Sequence, residues 1–197
     1  MAEHERGAES LVRDLMERAQ RGDRRAFDEL VRVFYRGVYS YARRALADDE
    51  LALEVAQDTF ARAYRYRSSW KPDAGSVRSW LFAVAANRIR DARRARREEP
   101  AGIEDPGAVA ASGEEGLEAF ARGALREEVV RAIEELSPEH REIVSLKYVS
   151  DLSYEEVAQV LGLSVSAAKM RALRARDLLA RRLARLVLGS GSGEVER

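Results

Sequence analysis

Apolar positions along this chain recur at spacings of three and four, and no alternating stretch of useful length interrupts them. That period belongs to amphipathic α-helices, so the expected fold class is all-α. The first half reads as helices near Leu11–Arg21, Asp23–Leu46, Asp49–Tyr66 and Ser79–Arg97. The loop SSWKPDAGSVR, punctuated by Pro72 and Gly75, separates the last two. A stretch rich in Gly, Pro, Ala and acid follows, EEPAGIEDPGAVAASGEEG, and reads as a flexible linker. The second half opens with LREEVVRAIEEL, and Ser137 with Pro138 then forms a helix start that should run to about Tyr148. Ser153 and Glu156 have capping-box spacing, Gly162 suits a left-handed helix stop, and Ser164 caps a long final helix. The tail GSGSGEVER reads as disordered.

Charge sharpens this division. The chain is formally neutral, with 34 basic and 34 acidic residues in 197. Residues 1–97 carry 21 Lys and Arg against 15 Asp and Glu, whereas residues 98–120 carry seven acids and no base. An acidic connector thus joins two small helical domains. No cysteine is present, and His4 and His140 lie far apart, so neither a disulfide nor a metal cluster is expected. No cofactor motif is found. The N-terminus lacks the apolar core of a signal peptide, and no run reaches the ~18 apolar residues of a membrane span. A cytoplasmic protein without membrane insertion is expected.

Two helices joined by a short Gly-containing turn, Tyr154 onward, form the pattern of a helix-turn-helix. On the second helix Val165, Ala168, Ala172, Ala175 and Leu179 make a stripe of mostly small residues, suited to close packing. Ser166, Met170, Leu173 and Arg174 lie opposite, with Lys169 and Arg171 on the flanks. Such a face can enter a major groove, where arginine reads guanine and lysine more often meets phosphate. A merely solvated charged face explains Arg181, Arg182 and Arg185, but not the concentration directly after the capped turn.

The helix from Ser79 holds a second basic concentration. Leu81, Val84, Ala85 and Ala92 make a candidate buried stripe, and Ala83, Asn87, Arg90, Arg94 and Arg97 share the other side. An amide, arginines and the nearby aromatic Trp70 suit single-stranded nucleic acid, although Trp70, Trp80 and Phe82 are also candidate core residues. Burial of at least part of Trp80 is expected. In the preceding helix Glu54, Gln57, Asp58 and Ala61 form a polar stripe without a base. It is either plain solvent surface or a docking face for a basic protein.

Three segments carry a family resemblance: EVAQDTFARAYR, GSVRSWLFAVAANRIRDARRARR, and the run from LSPEHREIVSLKYVSDLSYEEVAQVLGLS into SVSAAKMRALRAR. In order and spacing the chain resembles an extracytoplasmic-function sigma factor of the sigma-70 family. The resemblance implies sigma region 2 at residues 23–97 and region 4 at 125–187, joined by the acidic linker 98–124. Residues 1–22 form an N-terminal segment and 188–197 the tail. It implies that Glu54, Gln57 and Asp58 grip core RNA polymerase. Ser69, Trp70, Ser76, Trp80, Asn87, Arg90 and Arg94 would serve −10 recognition and melting of promoter DNA. Ser164, Ser166, Lys169, Met170, Arg171, Leu173 and Arg174 would face the −35 element. An anti-sigma factor is an expected partner, and no catalytic activity is expected. Ser166, Ala167 and Ala168 depart from the family's Gly-Thr-Val, and Met170 from its common serine. The rival readings are a free-standing helix-turn-helix repressor or activator, which needs a dimer interface, and an enzyme acting on nucleic acid, for which no nucleophile–base pair or phosphate loop assembles.

Overall fold

The computed structural model describes residues 2–98 and 128–189, and every described element is helical. Nearly all of the linker expected at 98–124 and of the tail expected at 188–197 lies outside the described residues. The elements are α1 (Ala2–Gln20), α2 (Arg24–Leu46), α3 (Asp49–Arg65), α4 (Val77–Glu98), α5 (described over 128–134), α6 (Pro138–Val144), α7 (Tyr154–Leu161) and α8 (Val165–Gly189).

Local signals set most boundaries. The Asp23 carboxylate accepts from the Ala26 amide at 3.1 Å and starts α2, and Asp48 does the same for α3 at the Leu51 amide, 2.9 Å. Between them Ala47 takes a left-handed conformation at φ 54°, so α2 turns into α3 within two residues. Ser137 precedes Pro138 at the start of α6, and the Ser153–Glu156 capping box is complete. Gly162 ends α7 at φ 66°, where a side chain would be strained. One feature escapes the periodicity: after α6 a π-turn spans Ser145–Val149, its Ser150 amide reaching back to the Ser145 carbonyl at 2.9 Å.

The first half packs α2, α3 and α4 around Phe27, Leu30, Phe34, Val38 and Tyr41 of α2, spaced by three and four. Val77, Leu81, Ala85 and Ile89 answer from α4, and Val55 and Phe60 from α3. Ala92 packs at the edge of this core, Val84 is only half-buried, and Ala83 turns partly inward rather than outward. The first helix is no loose segment: α1 buries Leu15, Met16 and Ala19 in the same core. Each large apolar side chain so buried contributes about 1.5–3 kcal/mol.

The second half shares that core. Ile143, Leu146, Leu152 and Val157 are buried with the residues above, α6 lies on α2, and α7 lies on α4. The phenol of Tyr41 donates to Glu142 Oε1 at 2.7 Å, and Arg93 stands 4.0 Å from the same carboxylate. Arg141 adds a bond from its guanidinium to the Arg44 carbonyl at 3.4 Å.

Candidate nucleic-acid interface

Between α3 and α4 the chain makes two tight turns, Arg67–Ser69 and Pro72–Ala74, before entering α4. Trp70 lies beneath this loop, 3% exposed, and its indole N–H donates to the Gly75 carbonyl at 3.2 Å. Of the two readings open for Trp70, burial fits the core and not a stacking platform: the ring shapes the loop from inside. Gly75 adopts φ 137°, a conformation available essentially to glycine. Ser76 then caps α4, its hydroxyl accepting from the Ser79 amide at 3.0 Å. Ser69 is exposed at the loop's first turn, and Lys71 to Ala74 are exposed at its crown.

The root of the loop is held by α1. Gln20 Nε2 donates to the carbonyls of Arg67, at 2.7 Å, and Trp70, at 3.0 Å. Arg67 answers with a bond from Nε to the Ala19 carbonyl at 2.8 Å and one to the Tyr64 carbonyl at 2.6 Å. The three bonds between α1 and the loop span 47 to 50 residues of chain, and no periodic pattern announces them.

The basic residues of α4 divide by partner. Arg88 reaches Asp58 and, at 2.9 Å, Asp91; Arg93 donates to the Ala45 carbonyl at 2.8 Å; Arg96 pairs with Asp48 at 3.4 Å. Asn87, Arg90 and Arg94 point outward along one face, with Arg90 bonded to the Asn87 side-chain carbonyl. Trp80 is half-buried against the core, as expected. On α3, Glu54 and Gln57 are exposed. Asp58 is not a free member of that stripe: it sits between Arg62, at 3.2 Å, and Arg88.

In the second half, Ala168, Ala172 and Ala175 are fully buried and seat α8 closely against α6 and α7. Ser164 caps α8 by accepting from the Ala167 amide at 3.1 Å, and its hydroxyl lies 3.1 Å from that of Ser166. Lys169, Met170, Leu173 and Arg174 stand outward, Met170 being 50% and Leu173 40% exposed. Arg171 is half-buried, 3.6 Å from Glu139, which weakens its claim to a DNA contact. Lys169 lies 5.8 Å from the centre of the Tyr154 ring, with Lys147 at 5.1 Å from the same ring.

The two candidate surfaces meet at one point. Glu156 of α7 bonds the Ser76 hydroxyl, and Gln159 of α7 donates to the Ala74 carbonyl. Arg78 reaches the Asp151 carbonyl at 3.4 Å. Among the described residues no group of three or more metal-ligating side chains occurs, and no helix is long and apolar enough to cross a membrane.

Comparison with known proteins decides what carries these faces. The family model "Sigma-70 region 2" matches residues 30–99, and "Sigma-70, region 4" matches residues 126–179. The chain belongs to the sigma-70 family, in its extracytoplasmic-function branch. It is 31% identical over 174 residues to the RNA polymerase sigma-H factor of Pseudomonas aeruginosa, covering 84% of this chain and 90% of that one. It is 32% identical over 175 residues to RNA polymerase sigma factor CarQ of Myxococcus xanthus, covering 88% and 98%. The solved structure of CnrH in complex with the cytosolic domain of CnrY matches with a TM-score of 0.64 at 29% identity, over 92% of this chain and 99% of that one. That of the Bartonella quintana sigma factor RpoE with the anti-sigma factor NepR gives 0.66 at 23% identity, over 80% and 96%, a likeness of fold. This sigma factor is therefore not an enzyme; it directs core RNA polymerase to promoters through their −10 and −35 elements.

Proposed function

We propose the following division of labour among the faces. Glu54 and Gln57 on α3, with Asp58 beside them, dock on a basic surface of core polymerase. The loop 69–76 and the outward row Asn87, Arg90 and Arg94 receive the unpaired −10 strand, with Trp70 and Trp80 supporting from beneath. Residues Ser164 to Arg174 of α8 read the −35 duplex, Met170, Leu173 and Arg174 facing the bases and Lys169 the phosphates. The working units are region 2 over 23–97 and region 4 over 125–187, with α1 packed on the first. An anti-sigma factor is a partner of this chain, as it is of the solved relative in complex with NepR. Its place of action is the cytoplasm, where polymerase and DNA meet.

One observation carries this reading: a single chain exposes both a helix-turn-helix face and an amide-and-arginine row beside a shaped loop. A duplex-binding repressor has use for the first only. The deciding experiment mixes the chain with core polymerase and a panel of promoters. Co-purification with core and initiation at a promoter the core alone ignores support the assignment. Duplex binding by a dimer without polymerase, and no initiation, would favour the repressor.

A further inference from the structure

We infer that α1 is part of the strand-capturing apparatus, because Gln20 and Arg67 clamp the root of the loop 67–76 and fix its shape. The inference rests on the reading that this loop receives an unpaired base.

The clamp is reciprocal. Each amide hydrogen of Gln20 Nε2 has its own acceptor, the carbonyls of Arg67 and Trp70 that bracket the first turn of the loop. In the other direction the Arg67 guanidinium gives the Ala19 carbonyl, in the last turn of α1, a second donor beside the Gly22 amide. A cation at a helix C-terminus also meets the negative end of the helix dipole. Arg67 lies over the Tyr64 ring as well, its Cζ 4.4 Å from the ring centre, which limits its freedom.

The end of α1 is itself firm. Leu15, Met16 and Ala19 are buried, and Arg18 closes the following turn on Asp23 at 2.8 Å, the residue that caps α2. The loop is thus tied to a fixed post rather than to a second mobile segment. Downstream, Trp70 fastens Gly75 from below. Clamp and tryptophan leave only the exposed crown, Lys71 to Ala74, without an anchor of this kind inside the first half.

Packing alone does not require this arrangement. The two bonds are only part-buried, and the Arg67 carbonyl keeps the Trp70 amide as a donor at 3.2 Å if Gln20 is removed. Loss of the clamp should therefore widen the loop's ensemble more than it lowers global stability. A receiver that must be ordered on binding holds its ligand more weakly than one already shaped.

The test uses the full chain bound to core polymerase and a single-stranded oligonucleotide carrying the −10 element. Gln20→Met keeps length but removes both donors, and Arg67→Met breaks the return bond. The expected result for each is a loss of about five- to tenfold in oligonucleotide affinity. Amide exchange should rise over 67–76, while core binding and Tm stay near wild type. Replacing the crown Lys71–Ala74 by Gly and Ser separates the two layers of the argument. If the crown exchange weakens the oligonucleotide and neither clamp variant does, the clamp is overturned and the loop reading stands. If the crown exchange has no effect, the loop is not the receiver and both fall. A clamp variant that loses affinity only in proportion to a fall in Tm or in core binding also overturns the inference.

Discussion

The phenol of Tyr41, fully buried in α2, donates to the carboxylate of Glu142 in α6 across 101 residues of chain. A tyrosine hydroxyl inside a core needs a partner, and here the partner comes from the other half of the protein. Burial, reinforced by the neighbouring Glu142 charge, holds the Tyr41 phenol well above the ordinary tyrosine range. The two halves are joined by apolar contact and by a polar bond sensitive to alkali.

Tyr41→Phe removes the donor while Arg93 remains near the carboxylate, so the cost should be about 1–3 kcal/mol at neutral pH. The pH dependence has a definite sign. Below about 10 the phenol is neutral in both folded and unfolded chains and the stabilisation is complete. Above that the unfolded phenol ionises while the folded one does not, so stability falls as pH rises toward the raised folded value. Denaturant titrations from pH 8 to 11 should show a steeper alkaline decline for wild type than for Tyr41→Phe. Parallel curves would mean the bond is absent in solution.

On α3, Gln57→Arg and Glu54→Arg are cleaner probes of polymerase docking than Asp58→Arg. The first two residues are exposed, so charge change there should leave folding within about 0.5 kcal/mol while pull-down of core falls severely. Asp58→Arg also breaks contacts with Arg62 and Arg88 and should lower Tm as well. Undiminished core recovery by all three would remove this stripe from the interface.

Asn87→Ala and Trp70→Ala should separate although the proposed function places both at the −10 element. Asn87 is exposed, so its loss should spare folding and recruitment yet slow open-complex formation, with partial rescue on a pre-melted promoter. Trp70 is core, and its truncation should cost roughly 3–5 kcal/mol of stability before any DNA is added. Permanganate footprinting beside a thermal melt distinguishes the two. A stable Trp70→Ala chain with an opening defect alone would restore the ring to the DNA side.

For α8, Lys169→Ala should weaken binding evenly across −35 variants and lower the salt slope by about one. Arg174→Ala should cost roughly 1–3 kcal/mol on the preferred sequence and flatten discrimination at one base pair. Affinities of holoenzyme for single-base variants at two salt concentrations decide it. Equal weakening of every sequence by Arg174→Ala would make it a phosphate contact.

What the sequence makes legible is what local chemistry writes. Ser137, Ser153 with Glu156, Gly162 and Ser164 each mark a helix end through neighbours no more than four residues away, and each lies where expected. The alanine stripe of α8 is equally readable because its period is a property of the helix alone. Trp70 reads both ways in the sequence, as a core residue or a stacking platform, because a polar, proline- and glycine-bearing loop resembles surface while its burial depends on helices elsewhere in the chain. Arg88 looks like another basic residue of the α4 face until Asp58, thirty positions earlier, is brought beside it by packing. Gln20 has no signal at all, since a side chain reaching a distant backbone carbonyl leaves no pattern in residue types.

If the loop receives the strand as proposed, the contacts of Gln159 with Ala74 and of Glu156 with Ser76 make region 4 its competitor. A tethered competitor acts at an effective concentration of order millimolar, however dilute the protein. The strand affinity observed for the closed chain is then the loop's intrinsic affinity multiplied by the fraction of chains that are open. A chain open about one-tenth of the time reads tenfold weaker with no change in any DNA contact. A substitution on α7 can therefore raise −10 strand binding from a residue that never meets the strand.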